Sequence, residues 1–476
     1  MNWEGILENF DIVIIGTGFA SSFFLHSYLS RADKKARILV LERGKNDSHA
    51  WQLQHKTLSS TISETVNATP AKRWPHYIGF GGTSRAWVAC TPRMMPNDLQ
   101  LKSKYGVGVD WPISYDELEQ YYTEAEIIMA VSGPSDGSPF PRSQPYPQPP
   151  HSFNGSDKLL KQAYPDLYFQ QPVARARVAT NNRSLCCATG VCTLCPANAK
   201  FTIQNEMAHL YQDPRVNLLL EAEALAIETE GGQATGVRYK KAGIEYIAKA
   251  DLVVLGANAI FNPYLLQKSN LPHPMLGKRL HEQVSQYVKI DLDGVDNFQG
   301  STMITGHGYM LYDGPHRSKH AACIIENFNI PLTTLRVERG KWLQRCYMKF
   351  IFEDLPNENN YVTVDENSPN LPKIVHSNHS DYAQRGVDTL STILPKLLAP
   401  LPVEDITMLH VNNTEGHIQG TTIMGNDPQT SIVDKNLLHH QVRNLMVLGS
   451  SVFPTCSPAN PTLTLSALSL WAADQL

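Results

Sequence analysis

Hydrophobic positions change period twice along this chain. Residues 10–44, FDIVIIGTGFASSFFLHSYLSRADKKARILVLERG, open with the unbroken apolar run of a strand buried on both faces. The run breaks at Gly16-Thr17-Gly18, continues as an apolar helical stretch, and closes with a second buried strand, Ile38–Leu41, ending at Glu42. The last residues, QVRNLMVLGSSVFPTCSPANPTLTLSALSLWAADQL, predict a short buried strand over Leu445–Leu448, a turn at Gly449 and an apolar helix from Leu463 onward. Between Gln283 and Thr407 the period drops to two in VSQYVKIDLDG, STMITGHGYMLY, HAACIIENFNI, RCYMKFIFEDL and NYVTVDENS. That alternation predicts an antiparallel sheet with one face toward a ligand cavity. Together the patterns predict an α/β chain, α+β overall, whose first domain is Rossmann-like and whose second rests on an antiparallel sheet.

The first unit carries candidate chemistry. Gly16 permits a tight turn, and Gly18 lets backbone approach a pyrophosphate seated on helix-start amides, where the dipole favours anions. Glu42 ends the second strand where a ribose hydroxyl needs an acceptor. Ser21 replaces the third glycine of the fingerprint and is small enough for close helix packing. A lone G-x-G also fits a purely structural turn; the strand context and Glu42 favour dinucleotide binding without separating NAD from FAD.

Length and charge narrow the partners. At 476 residues the chain exceeds the range of one hydrophobic core, so two domains are expected. A net charge of -4, with no run of lysine or arginine longer than a pair, argues against a nucleic acid partner. No apolar stretch is long enough to span a membrane, and MNWEGILENF lacks the features of a secretion signal, so the expected location is the cytoplasm, although export with a partner subunit is compatible with the sequence. The stretch GPSDGSPFPRSQPYPQPP at 133–150 predicts an extended surface loop. Thiols in a reducing compartment favour metal binding over disulfides.

Four further segments resemble the glucose-methanol-choline family of FAD oxidoreductases over nearly the whole chain. YIGFGGTSRAWVACTPRMMPNDL followed by DWPISYDELEQYYTEAE is similar to the family's glycine-turn segment over the flavin, with Gly81, Gly82 and Thr83 at the turn. DLVVLGANAIFNPYLLQKSNLP resembles the strand and helix that close the FAD site, with Gly256, Ala257 and Pro263 at matching places. GHIQGTTIMGNDPQTSIVD resembles the His-x-x-Gly-Thr-x-Arg-Met-Gly segment, and the C-terminal stretch supplies Gly449, Ser450, Asn460, Pro461 and Thr462. The sugar-oxidising branch, which includes pyranose oxidase and bacterial FAD-dependent sugar dehydrogenases, is the nearest in character. The resemblance implies a FAD-binding domain over 1–282, a substrate domain over 283–407, and a return to the first domain over 408–476.

It also implies a catalytic pair, His417 and Asn460. Hydride removal from an alcohol carbon requires the hydroxyl proton to leave, and a neutral imidazole is a suitable base near pH 7. Ala86 stands where pyranose oxidase has its flavin-linking histidine, so the FAD is expected to be non-covalent. Ile423 replaces the family's arginine before Met-Gly. The substrate wall, with His307, Tyr309, Asn327, Tyr347 and Lys349, is polar enough for a polyol or sugar.

The loop at 186–200, CCATGVCTLCPANAK, places Cys186, Cys187, Cys192 and Cys195 within ten residues. It resembles the loop that holds a three-iron (3Fe-4S) cluster in sugar dehydrogenases that deliver electrons to a partner subunit; zinc, or a metal-free loop of packed thiols, also fits the residues. The expectation is an FAD-dependent dehydrogenase oxidising a CH–OH group of a sugar or related alcohol, with an electron-transfer or small accessory subunit as partner. The alternatives are an oxygen-using pyranose-type oxidase, and a lyase or photodecarboxylase on the same scaffold.

Overall fold

A computed structural model describes residues 9–58, 61–62, 65–69, 72–329 and 342–476. Residues 1–8, on which most of the secretion-signal reading rests, lie outside them.

Asn9–Ile15 pairs in parallel with Ile38–Leu41 on one side and with the end of Ile244–Leu255 on the other. Val216–Leu219 and Leu445–Val447 extend this parallel core. Ala222–Glu230, Gln233–Lys241 and the start of Ile244–Leu255 add an antiparallel meander, completing a seven-stranded sheet among the described residues. Ile12, Val13, Ile14, Ile38, Val40, Val253 and Val254 are fully buried, which explains why these strands read as unbroken apolar runs. Phe19–Arg31 packs against Thr462–Asp474; both are apolar on nearly every face because both are interior helices.

The second sheet is antiparallel throughout, in the order Val403–Asn412, Val284–Leu292, Arg345–Phe352, Cys323–Phe328, Ile304–Gly308, Tyr168–Gln170. Helix Asp381–Leu397 covers it with Tyr382 and with Ala383, Val387, Leu390, Leu394 and Leu397, the last five spaced three or four apart, all packed with Val288, Phe350 and Phe352. Its start is fixed by Ser380, whose hydroxyl oxygen accepts from Ala383 N at 3.2 Å.

Three features differ from the expected pattern. Tyr361–Val364, within the NYVTVDENS run, does not join this sheet; it pairs with Pro372–Val375 in a separate small sheet. The reason is a local apolar cluster, Trp74, Ile260, Leu280, Val362 and Ile374, that holds it beside the first domain. Conversely, Tyr168–Gln170 enters the second sheet from outside residues 283–407. The proline-rich stretch 133–150 forms no helix or strand, as expected, but it is not wholly superficial: Phe140 and Tyr146 are buried, and the Arg142 guanidinium lies 3.5 Å from the Tyr146 ring centre. Among the described residues no helix is long and apolar enough to cross a membrane.

Candidate active site

The carboxyl ends of the parallel strands open on a cavity of about 440 Å³, the usual place for a ligand in an open α/β sheet. Gly16 has φ +95°, and a Cβ there would lie 2.6 Å from the Gly256 carbonyl oxygen, so no other residue fits. At Gly18 an added Cβ would meet nothing within 4 Å, because that space belongs to the cavity. Helix Phe19–Arg31 starts there without a side-chain cap, and Thr462–Asp474 starts uncapped at Pro461 on the same cavity. Two sets of helix-start amides therefore face one space, a strong setting for anionic or electron-rich groups.

Glu42 lines the cavity, as do Glu223 and Glu415. The Glu42 carboxylate accepts from the Thr17 hydroxyl at 2.5 Å, from Gly44 N at 2.8 Å and from Gly79 N at 3.2 Å. All the residues assigned to the dinucleotide line the cavity except Ser21 and Gly81. Those two act behind the wall. A Cβ on Gly256 would fall 2.1 Å from Ser21 Oγ, so Ser21 fills the close helix–strand contact, and Gly81 N donates to Thr17 Oγ1 at 2.9 Å.

His417 and Asn460 open on this same cavity from different segments. The His417 backbone N–H donates to Glu282 Oε2 at 3.2 Å, and its ring Nδ1 lies 2.5 Å from Gln283 Oε1. Burial lowers the pKa of the imidazole and Lys349 acts in the same direction, while Glu415, Glu282 and Glu326 pull it back up. The ring is thus biased toward the neutral form while keeping contact with the cavity. Asn460 is buried, and its Oδ1 has no hydrogen-bond partner among the described residues. A buried amide oxygen left open in this way is reserved for a ligand or water.

The five residues predicted on the ligand-facing wall, His307, Tyr309, Asn327, Tyr347 and Lys349, are all buried and none lines the cavity. Polar alternation marks an internal network here. Asn327 donates to Ser156 and Asp157, and Lys349 bridges Glu326 at 2.9 Å and Glu415 at 2.8 Å. Burial alone would lower the pKa of the Lys349 ammonium; the Glu326 and Glu415 carboxylates overcome this and raise it well above the usual value. Glu415, which lines the cavity two residues before His417, carries the network to the site.

The cysteine loop borders the cavity through Thr193. Cys192 and Cys195 are buried, Cys186 is half-buried beside Thr302, and Cys187 is exposed beside Thr189. Among the described residues no group of three or more histidine, cysteine, aspartate or glutamate side chains is arranged to hold a metal ion.

Residues 74–285 match the N-terminal model of the GMC oxidoreductases, and residues 356–469 match the C-terminal one. The chain belongs to the GMC oxidoreductase family. It is 26% identical to the fructose dehydrogenase large subunit of Gluconobacter japonicus, over 98% of this chain and 97% of that protein. It is 23% identical to the gluconate 2-dehydrogenase flavoprotein of Pantoea cypripedii, over 99% and 94%. Pyridoxine 4-oxidase from Mesorbium loti shares the fold, with a TM-score of 0.69 at 18% identity over 98% and 99% of the two chains. This GMC protein is an FAD-dependent oxidoreductase acting on CH–OH groups. The glycine cradle, the two uncapped helix starts and Glu42 fit FAD.

Several contributors escaped the sequence reading. Thr17 sits inside the glycine turn but draws attention only once its bonds to Glu42 and Gly81 are seen. His76 lines the cavity with Nε2 buried and unpartnered among the described residues, while Nδ1 donates to Trp74 O at 2.9 Å; burial lowers its pKa to about 4. Its place just before the glycine turn was the available signal. Gln283 had none.

Proposed function

We propose that this GMC enzyme oxidises a sugar or related polyhydroxy alcohol, with His417 as base and Asn460 as its partner, and passes the electrons to a protein or one-electron acceptor instead of dioxygen. The observation that carries the reading is the meeting of a neutral-biased imidazole and an unpaired buried amide oxygen on the cavity that two helix starts share. His417 takes the hydroxyl proton through the ring nitrogen facing the cavity. Asn460 meets the same hydroxyl through its carboxamide and orients it. Glu282 fixes the His417 backbone through its carboxylate, and its other oxygen is held by Lys72. Bound FAD supplies the hydride acceptor. We place it as non-covalent, supported by Ala86, which lines the cavity and offers no nucleophile.

The choice of a sugar or polyol, and of a partner acceptor, is supported by relatives named as a fructose dehydrogenase large subunit and a gluconate 2-dehydrogenase flavoprotein. An anaerobic panel of sugars, sugar acids and diols tests the substrate: flavin bleaching by a polyhydroxy compound is expected, and bleaching by none of them overturns the assignment. Reoxidation that is faster with dioxygen than with one-electron dyes would assign an oxidase.

The finer cofactor reading, a 3Fe-4S cluster on Cys186, Cys187, Cys192 and Cys195, is supported by the thiol spacing. Burial pushes the Cys192 thiol up, with Arg175 and Lys200 acting the other way, and the same burial lowers the Lys200 ammonium to about 7. As placed, the four sulfurs do not form a ligand cage. Iron and acid-labile sulfide in anaerobically purified protein decide the matter.

A further inference from the structure

Gln283 is fully buried at the residue before strand Val284–Leu292, 134 positions in sequence from His417. Its carboxamide lies between the two halves of the site. On one side Nε2 is 2.6 Å from the Ser457 carbonyl oxygen and 3.0 Å from that of Ala459, the residue before Asn460. On the other side Oε1 is 2.5 Å from His417 Nδ1.

Which end of the amide faces which neighbour follows from chemistry alone. Backbone carbonyl oxygens only accept, so the end facing Ser457 and Ala459 must be the NH₂. The end facing the imidazole is then the oxygen, which also only accepts. Nδ1 must therefore carry a proton. In a neutral ring that leaves Nε2 bare, and Nε2 makes no hydrogen bond within the described residues. Proton assignment on histidine is usually a matter of choice between two tautomers; here two carbonyls, acting through one glutamine, remove the choice.

We propose that Gln283 is a positioning residue that locks His417 in the Nδ1–H tautomer, so that Nε2 is available to take a proton, and that ties this lock to the backbone carrying Asn460. The inference rests on the reading of His417 as base. Without Gln283 the ring could carry its proton on Nε2, where it would be unable to act as base toward the cavity. Because the same amide holds the 457–459 carbonyls, the imidazole and the Asn460 amide stay in register even though they come from separate segments.

The charged groups facing His417 are Glu415, Glu282 and Glu326, which favour its protonation, and Lys349, which opposes it; Lys72 pairs with Glu282. A glutamate at 283 would again face the Ser457 and Ala459 carbonyl oxygens, so it must be held as the neutral acid, its hydroxyl donating to them and its carbonyl oxygen accepting from Nδ1–H. It should keep the tautomer. Gln283→Leu should lose the single tautomer.

The experiment uses FAD-loaded protein labelled with ¹⁵N-histidine, read by long-range proton–nitrogen correlation across pH, with the signal missing in His417→Ala serving as the assignment. The expected result is a protonated Nδ1 and bare Nε2 in the parent and in Gln283→Glu, and a ring that also carries its proton on Nε2 in Gln283→Leu. A parent ring protonated on Nε2, or a Gln283→Leu ring held wholly in the Nδ1–H form, overturns the lock. A purely structural glutamine would change stability or FAD content without changing the tautomer. If Gln283→Leu does not fold, the parent tautomer decides alone. Failure of the underlying reading is separate: it shows as parental flavin reduction in His417→Ala, whatever the tautomer.

Discussion

The Thr17 hydroxyl donates to the Glu42 carboxylate at 2.5 Å and accepts from Gly81 N at 2.9 Å, so one small side chain joins the first glycine turn, the carboxylate after the second strand and the second glycine turn. Thr17→Val keeps the shape and removes both bonds. Hydrogen bonds to a charged group contribute about 1.5–3 kcal/mol, so FAD affinity should fall by roughly ten- to a hundredfold. Titration of the apoprotein with FAD, followed by flavin fluorescence, checks this; unchanged affinity would show that Glu42 is held well enough by Gly44 and Gly79.

His417→Ala should retain FAD while slowing substrate-driven flavin reduction by about 10² to 10⁴-fold, the usual contribution of a placed base. Asn460→Ala should slow the same step less. The pH dependence has a definite sign. A histidine whose pKa is lowered by burial stays neutral further into acid, so the base remains active below its ordinary value. The acid limb of the reduction rate should therefore lie below about pH 6.5; stopped-flow spectroscopy across pH locates it.

Denaturation should release free FAD into the supernatant, because Ala86 presents only a methyl group to the cavity. Yellow colour that stays with the precipitated chain would reveal a covalent link at another position.

Arg317 is fully buried and bonds Asp98 at 2.8 Å and Glu353 at 2.6 Å, both carboxylates also fully buried. Arg317→Met leaves two interior carboxylates without their cation, at a cost of about 3–5 kcal/mol. Chemical denaturation of the FAD-loaded protein measures the loss. A variant as stable as the parent would show that protonation or rearrangement of the carboxylates had relieved the site.

Much of the first domain was legible because its evidence is local. Unbroken apolar runs mark strands buried on both faces, and Gly16 and Gly18 announce the turn between strand and helix. The cavity positions of His417 and Asn460 were reached through motif resemblance. What could not be read depends on partners distant in sequence. Period-two alternation tells which side of a strand is polar but not whether that side meets a ligand or another layer, so Lys349 and Asn327 were placed on the cavity wall when they belong to an internal network. Tyr361–Val364 has the right pattern for the large sheet, but its register is decided by Pro372–Val375 and the cluster around Trp74. Gln283 has no motif; its role exists only once Ser457, Ala459 and His417 are brought to one place.

The two helices that begin at the cavity without side-chain caps give the cofactor a second task. Unpartnered amides at a buried helix start oppose folding until an anion or an electron-rich ring edge meets them. FAD, which binds the native chain and not the unfolded one, therefore acts as an external cap, and mass action makes stability depend on its supply. At a free concentration a hundred times Kd the gain is about 2.7 kcal/mol, so the melting temperature should climb as FAD is titrated in. In a cell short of riboflavin, the abundance of this enzyme would fall along with its activity, since the emptied chain spends more of its time open to proteases.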